Sequence, residues 1–283
     1  MNRERPSNIR SLQARIRNDA DRAGLPYGRF QRSIAVVIAS EIMRIAADDA
    51  GLAINGGASL ELRYGTAHSR ASKDLDAVLG RGFHEFFERL QLALREGWEG
   101  FTGTATRPEV IDVAGLAQRP YRFKIQLDYV GRSFTKIPVE VAMAEGEALS
   151  TVDLIPGPDL RSLGISPVEP LPCLTVEHQT AQKLHACTQP DTNTYINDRA
   201  RDLVDLQLLE QEIRERLAAT AEACRRTFQL RATHLWPPDL AVRAGWSRIY
   251  SGAAKDVTGV APGIEEAVTI VQHLVDDLAT AGK

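Results

Sequence analysis

The stretch Leu52-Ala53-Ile54-Asn55-Gly56-Gly57-Ala58-Ser59-Leu60 and, one polar loop later, Asp74-Leu75-Asp76-Ala77-Val78-Leu79 carry the architecture of this chain. Residues 52–54 read as a short buried strand, Gly56-Gly57 as a tight turn, and residues 58–64 as a helix that turns Leu60 and Leu62 inward. In the second run polar and apolar residues alternate, so a strand over 74–79 sets Asp74 and Asp76 on the same face. Two carboxylates held together repel each other, and a divalent cation is the most direct compensation. Magnesium takes a few carboxylate oxygens and fills its remaining positions with water and substrate phosphates. Asp74 and Asp76 are therefore the expected ligands of Mg2+. Alone, an Asp-x-Asp is a weak signal, and its context strengthens it. Gly56, Gly57 and Ser59 at the start of a helix offer backbone N–H groups and a hydroxyl to triphosphate oxygens. Arg70 and Ser72, on the loop entering the acidic strand, can bind phosphate or brace the carboxylates.

Outward from this block, Ile34, Ile38, Ile42 and Ile45 have helical spacing and predict a helix over 30–50 with one buried stripe. Before it, residues 1–32 carry Arg3, Arg5, Arg10, Arg15, Arg17, Arg22, Arg29 and Arg32 against three acidic residues, a basic helical arm that suits either plain solvation or a polyanion. Downstream, residues 83–97 predict an amphipathic helix, and 122–130 with 137–142 a hairpin. Glu140 on the second hairpin strand can add a third carboxylate that orients or deprotonates an incoming hydroxyl during in-line attack on an α-phosphate. Asp128 on the first strand competes for that place. Five prolines over 150–172 break regular structure and mark the expected boundary between domains, with helices predominating beyond it. The expected fold class is α/β: a mixed sheet flanked by helices over 1–150 and a mostly helical domain over 151–283.

Hydrophobic residues at 43% and charged residues at 25% match ordinary globular composition and exclude a disordered or fibrous reading. No apolar run is long enough to span a bilayer, and the opening residues lack the apolar core of a secretory signal, so a cytoplasmic protein with no membrane contact is expected. Cys173, Cys187 and Cys224 are widely separated and without Cys-x-x-Cys spacing, which fits reduced thiols rather than a disulfide frame or zinc site.

Gly56-Gly57-Ala58-Ser59-Leu60, Arg70-x-Ser72-x-Asp74-x-Asp76, Pro138-Val139-Glu140-Val141, Gln182-Lys183-Leu184-His185-Ala186 and Asn197-x-Arg199-x-Arg201-Asp202-x-x-Asp205-Leu206, in this order, resemble the AbiEii/AbiGii nucleotidyltransferase toxin family over roughly residues 35–210. The resemblance implies a DNA polymerase β-like nucleotidyltransferase core, a separately encoded antitoxin and, as in the mycobacterial Men-type members, transfer from a pyrimidine triphosphate (CTP or UTP) to the 3′ end of tRNA. Other members bind GTP, so the base stays open. Lys183 falls on the family's lysine, where it can neutralise triphosphate charge. Asp202 and Asp205 share a helix face, and one of them is expected at the active site, which the C-terminal domain would complete. Glu140 stands where the family commonly has aspartate. Two other readings remain open: the same machinery acting on a protein or small hydroxyl compound, and a nucleotide-binding regulatory module without turnover.

Overall fold

The computed structural model describes residues 4–112, 118–193 and 195–281. The chain divides into two compact units. One holds the described residues up to Ala67, with Ala71–Asp112 and Gln118–Leu174; the other holds His68–Arg70 and the described residues from Thr175 onward.

The first unit is built on helices α1 (Ile9–Ala23), α2 (Tyr27–Ala47), α3 (Gly56–Tyr64) and α4 (Phe83–Glu96) and strands β1 (Leu52–Asn55), β2 (Leu75–Leu79), β3 (Phe101–Ala105), β4 (Glu109–Val110), β5 (Tyr121–Tyr129), β6 (Arg132–Met143), β7 (Asp153–Ile155) and β8 (Leu171–Cys173). These strands form one mixed sheet in the order β3-β5-β6-β2-β1-β8-β7, with β4 also paired to β5. β5 and β6 make the antiparallel hairpin that their alternation predicts, while β6 runs parallel to β2. One sheet face is the core: Phe123, Ile125, Leu127, Ile137, Val139, Val141, Leu75 and Leu79 pack there with α2 and α4. Helix α2 is more deeply set than a one-stripe helix. Every residue from Ile34 to Met43 is buried, and the ion Glu41 survives there through two hydrogen bonds of 2.8 Å from Arg44. Ile45, expected on the buried stripe, is exposed. Ala53 and Val78 point to the opposite sheet face, where Ala148 and Leu174 cover them.

The boundary expected near residue 150 differs from the observed change of unit between Leu174 and Thr175. The proline-rich stretch is not a linker, because β8 pairs with β1 and β7 with β8, extending the same sheet. Four of the five prolines fall outside the strands, and only Pro172 lies within one, the three-residue β8. Arg63 fastens the extension by donating to the Asp153 carboxylate at 2.7 Å and to the Leu174 carbonyl at 2.9 Å.

In the N-terminal arm, Leu12, Ile16 and Ala20 line the buried side of α1. Several of the arm's arginines already have partners. Arg5 pairs with Glu99, Arg15 donates to the carbonyls of Glu4 and Leu163, Arg17 lies over the Tyr27 ring, Arg22 pairs with Asp19, and Arg32 donates to the Ser72 carbonyl. Arg3 lies outside the described residues.

The second unit is helical: α5 (Val176–Thr188), α6 (Arg201–Glu215), α7 (Leu217–Arg231), α8 (Trp246–Ala254) and α9 (Ile264–Ala281). Polar side chains fix its loops. Trp246 donates from its indole to the Asn197 carbonyl at 2.7 Å, and Gln207 bonds both the Tyr250 hydroxyl and the Ala261 N–H. Asn197 donates to the carbonyls of Ala186 and Gln189, capping the open end of α5 and shaping the loop that leads into α6. Among the described residues no helix is long and apolar enough to cross a membrane.

Candidate active site

In the first unit the acidic residues lie on the sheet face opposite the main core. The strand register sets Asn55 of β1 beside Asp76 of β2, Asp76 beside Glu140 of β6, and Glu140 beside Arg122 of β5. One row across four strands thus carries an amide, two carboxylates and a guanidinium. Glu140 accepts a hydrogen bond from Arg122 at 3.0 Å. Asp128 is in register with Ser133 near the far end of the hairpin, well away from Asp76, so the structure brings Glu140 rather than Asp128 to this row.

Asp74 precedes β2 instead of lying in it, and the bend there leaves it exposed, whereas Asp76 is half-buried. Ser72 shapes that bend by donating from its hydroxyl to the Asp74 carbonyl at 2.8 Å. Helix α3 begins at Gly56 itself, and no side chain caps it. Gly56 has φ +60°, and the Asp76 carboxylate fills the space where a Cβ would be, with Cγ 3.0 Å from that position. Gly57 is buried within the first turn. Ser59 is fully buried, and its hydroxyl bonds the thiol of Cys173 rather than pointing away from the core. Burial raises that thiol to about 11, with Ser59 and Arg63 opposing the shift.

The second unit holds the remaining expected residues in a network of its own. Lys183 of α5 is nearly inaccessible, and its ammonium donates to Asp205 at 2.6 Å and to Asp202 at 3.3 Å. Asp205 also accepts two hydrogen bonds from Arg70, at 2.8 and 2.7 Å, in bidentate geometry. Arg199 donates to Asp202 at 2.7 Å. Three cations thus surround two carboxylates, and Asp202 gains further from its place in the first turn of α6. Burial alone would raise the Asp202 carboxyl, but Arg199, Lys183 and Arg70 outweigh it and hold the group at about 2. Both aspartates are buried and paired, so the helix face they share is not a solvated one.

Among the described residues no three His, Cys, Asp or Glu side chains converge as a metal cluster. A hard divalent ion of the magnesium type takes one or two protein carboxylates and completes its shell with phosphate and water. Asp74 and Asp76 offer oxygen donors only, suiting such an ion better than zinc. Arg122 and Asn55 escaped sequence reasoning. Their signal is positional, because each becomes a neighbour of the acids only once the strand register is known.

A glycine-opened helix beside a strand carboxylate, on a mixed sheet, is an arrangement that suits nucleotidyl transfer. Residues 41–270 match the family described as nucleotidyl transferase AbiEii toxin, type IV TA system, and the chain belongs to that family. It is thus a nucleotidyltransferase of the toxin–antitoxin type, a class that uses nucleoside triphosphates and divalent metal and implies an antitoxin partner. Among solved structures it is similar to MenT4, nucleotidyltransferase toxin Rv2826c from Mycobacterium tuberculosis H37Rv, with 15% identity, a TM-score of 0.52, and coverage of 96% of this chain and 99% of that one. At that identity the likeness speaks for the fold. No curated protein sequence matches the chain.

Proposed function

We infer that this chain is a cytoplasmic toxin that uses magnesium to transfer nucleotides from CTP or UTP to the 3′ end of tRNA, blocking translation until a separately encoded antitoxin restrains it. The observation that carries the catalytic part is the register of Asp76 with Glu140 on adjacent strands, with Gly56 against the Asp76 carboxylate. The acceptor and the pyrimidine base rest on the resemblance to Men-type members, and GTP stays an alternative donor.

In this reading the 3′ hydroxyl attacks the α-phosphorus, the new O–P bond forms in line with the departing pyrophosphate, and the hydroxyl proton passes to Glu140. Asp74 and Asp76 would hold magnesium, which would supply positive charge to offset that of the triphosphate. The first-turn N–H groups of α3 receive phosphate oxygens, and the glycines allow the close approach. Lys183 has a different part from the one its position in the motif suggests. Its ammonium is engaged by Asp205 and Asp202, so it acts by holding that acidic pair in order.

The test is to incubate the purified protein with magnesium, each α-labelled triphosphate in turn, and total cellular RNA or total protein. Label at the 3′ end of tRNA from CTP or UTP is expected. Label in protein, or in no macromolecule, would overturn the acceptor.

A further inference from the structure

The sheet face that carries Asp76 and Glu140 continues along the β5–β6 hairpin, and its next residues are basic. On β5 the open face shows Arg122, Lys124 and Gln126; on β6 it shows Glu140, Pro138 and Lys136. Lys124 stands opposite Pro138 and Lys136 opposite Gln126. Lys124 is therefore the diagonal neighbour of both Glu140 and Lys136, roughly 7–8 Å from each. At roughly 3.3 Å per residue, Lys136 lies about 13 Å along the strand from Glu140. Both lysines are exposed, and among the described residues neither has an ion-pair partner. The strip between them holds only Gln126 and Pro138, with no acid. It ends at Asp128, one pleat beyond Gln126.

We propose that this strip binds the phosphate backbone of the last nucleotides of an RNA strand, delivering its terminal hydroxyl to Glu140. The assignment deepens the reading of RNA as acceptor and rests on it. Two unpaired ammonium groups in line with the acidic row match successive backbone phosphates. The short span, closed by Asp128, suits an extended single-stranded end rather than the face of a duplex. An ammonium attracts phosphate without reading the base, so the strip sets position and not sequence. The arginine-rich arm is denser in the sequence, but many of its guanidiniums are already engaged, whereas Lys124 and Lys136 are not.

The experiment compares the wild-type full chain with Lys124→Gln/Lys136→Gln and Lys124→Arg/Lys136→Arg, measuring tRNA binding across a salt series and, separately, triphosphate binding. Each single-strand phosphate contact contributes roughly 0.7 to the slope of log affinity against log salt, so the glutamine pair should lower that slope by about 1.4. The arginine pair should keep it, and triphosphate affinity should hold in both. An unchanged slope in the glutamine pair, with the wild type still labelling tRNA, overturns this surface and leaves the acceptor standing. A wild type that labels no RNA overturns the acceptor and this surface together.

Discussion

The Asp76 carboxylate lies directly over the Cα of Gly56, occupying the space that any larger residue at 56 would need. Gly56 also has φ +60°, a conformation that costs a residue with a Cβ about 1–2 kcal/mol. Glycine is thus required twice, once for the backbone and once for the carboxylate. Gly56→Ala is expected to push the Asp76 carboxylate from its place beside the glycine, lower stability by about 1–2 kcal/mol, and slow transfer by roughly 100-fold, the scale of a 1 Å misplacement. Thermal melts and single-turnover transfer check both, and a Gly56→Ala enzyme of wild-type rate would remove Asp76 from the reacting centre.

Asp76→Asn and Asp74→Asn address the charge itself. Each is nearly isosteric and removes one negative charge from an acidic edge, so stability should hold or rise. Transfer should nevertheless be lost, because a neutral amide is a poor ligand for a hard divalent ion. Titrating magnesium separates weakened binding from absent chemistry. Near-wild-type transfer by either variant at saturating magnesium would sink the two-carboxylate site.

Lys183→Ala tests the buried network of the second unit. Removing one partner of a buried ion pair typically costs ~3–5 kcal/mol. Asp202 keeps Arg199 and Asp205 keeps Arg70, so the loss should fall at the low end of that range. Lys183→Arg should recover little, since a planar guanidinium does not fit the place of a compact ammonium between two carboxylates. Denaturant melts of the variants decide the matter. A Lys183→Ala protein as stable as the wild type would make this lysine a spare cation, free to serve the triphosphate.

Much of the fold is visible in local pattern. The alternation of Phe123, Ile125 and Leu127 yields β5, and that of Ile137, Val139 and Val141 yields β6, because a half-buried strand imposes a two-residue period. Asp74 and Asp76 stand out for the same reason, although only Asp76 proves to lie in the strand. What the pattern does not carry is non-local. That Glu140 adjoins Asp76 depends on β6 running parallel to β2, and that Arg70 and Lys183 converge on Asp205 depends on residues 135 and 22 positions apart. Ser59 misleads because its helix phase turns it into the core toward Cys173. The proline-rich stretch misleads because four of its five prolines fall outside the strands, which leaves β7 and β8 free to pair.

Acid should weaken the second unit earlier than its carboxylates alone would dictate, because of His185. This side chain is buried on α5, with its Nε2 2.8 Å from the Thr233 hydroxyl and its ring against Phe228 and His234. Burial, then the charges of Arg231 and His234, lowers it from 6.5 to about 3, and burial lowers His234 as well. As pH falls through 6.5 the unfolded chain takes up a proton at His185 while the folded chain refuses it until about 3. The unfolded state binds more protons across that window, so stability is complete above it and declines as pH drops, by up to about 1.4 kcal/mol per pH unit. Asp202 adds a second loss at lower pH, between its ordinary 3.8 and about 2, because its folded form holds the negative charge more tightly than the unfolded chain does. His185→Gln keeps a polar group for Thr233 and cannot titrate. Its melting temperature, followed from pH 7.5 to pH 3, should therefore fall less than that of the wild type all the way from 6.5 to about 3, while the loss from Asp202 below 3.8 is common to both proteins. Coincident curves for the two proteins over the upper window would place the acid sensitivity elsewhere, with His234 the next group to replace.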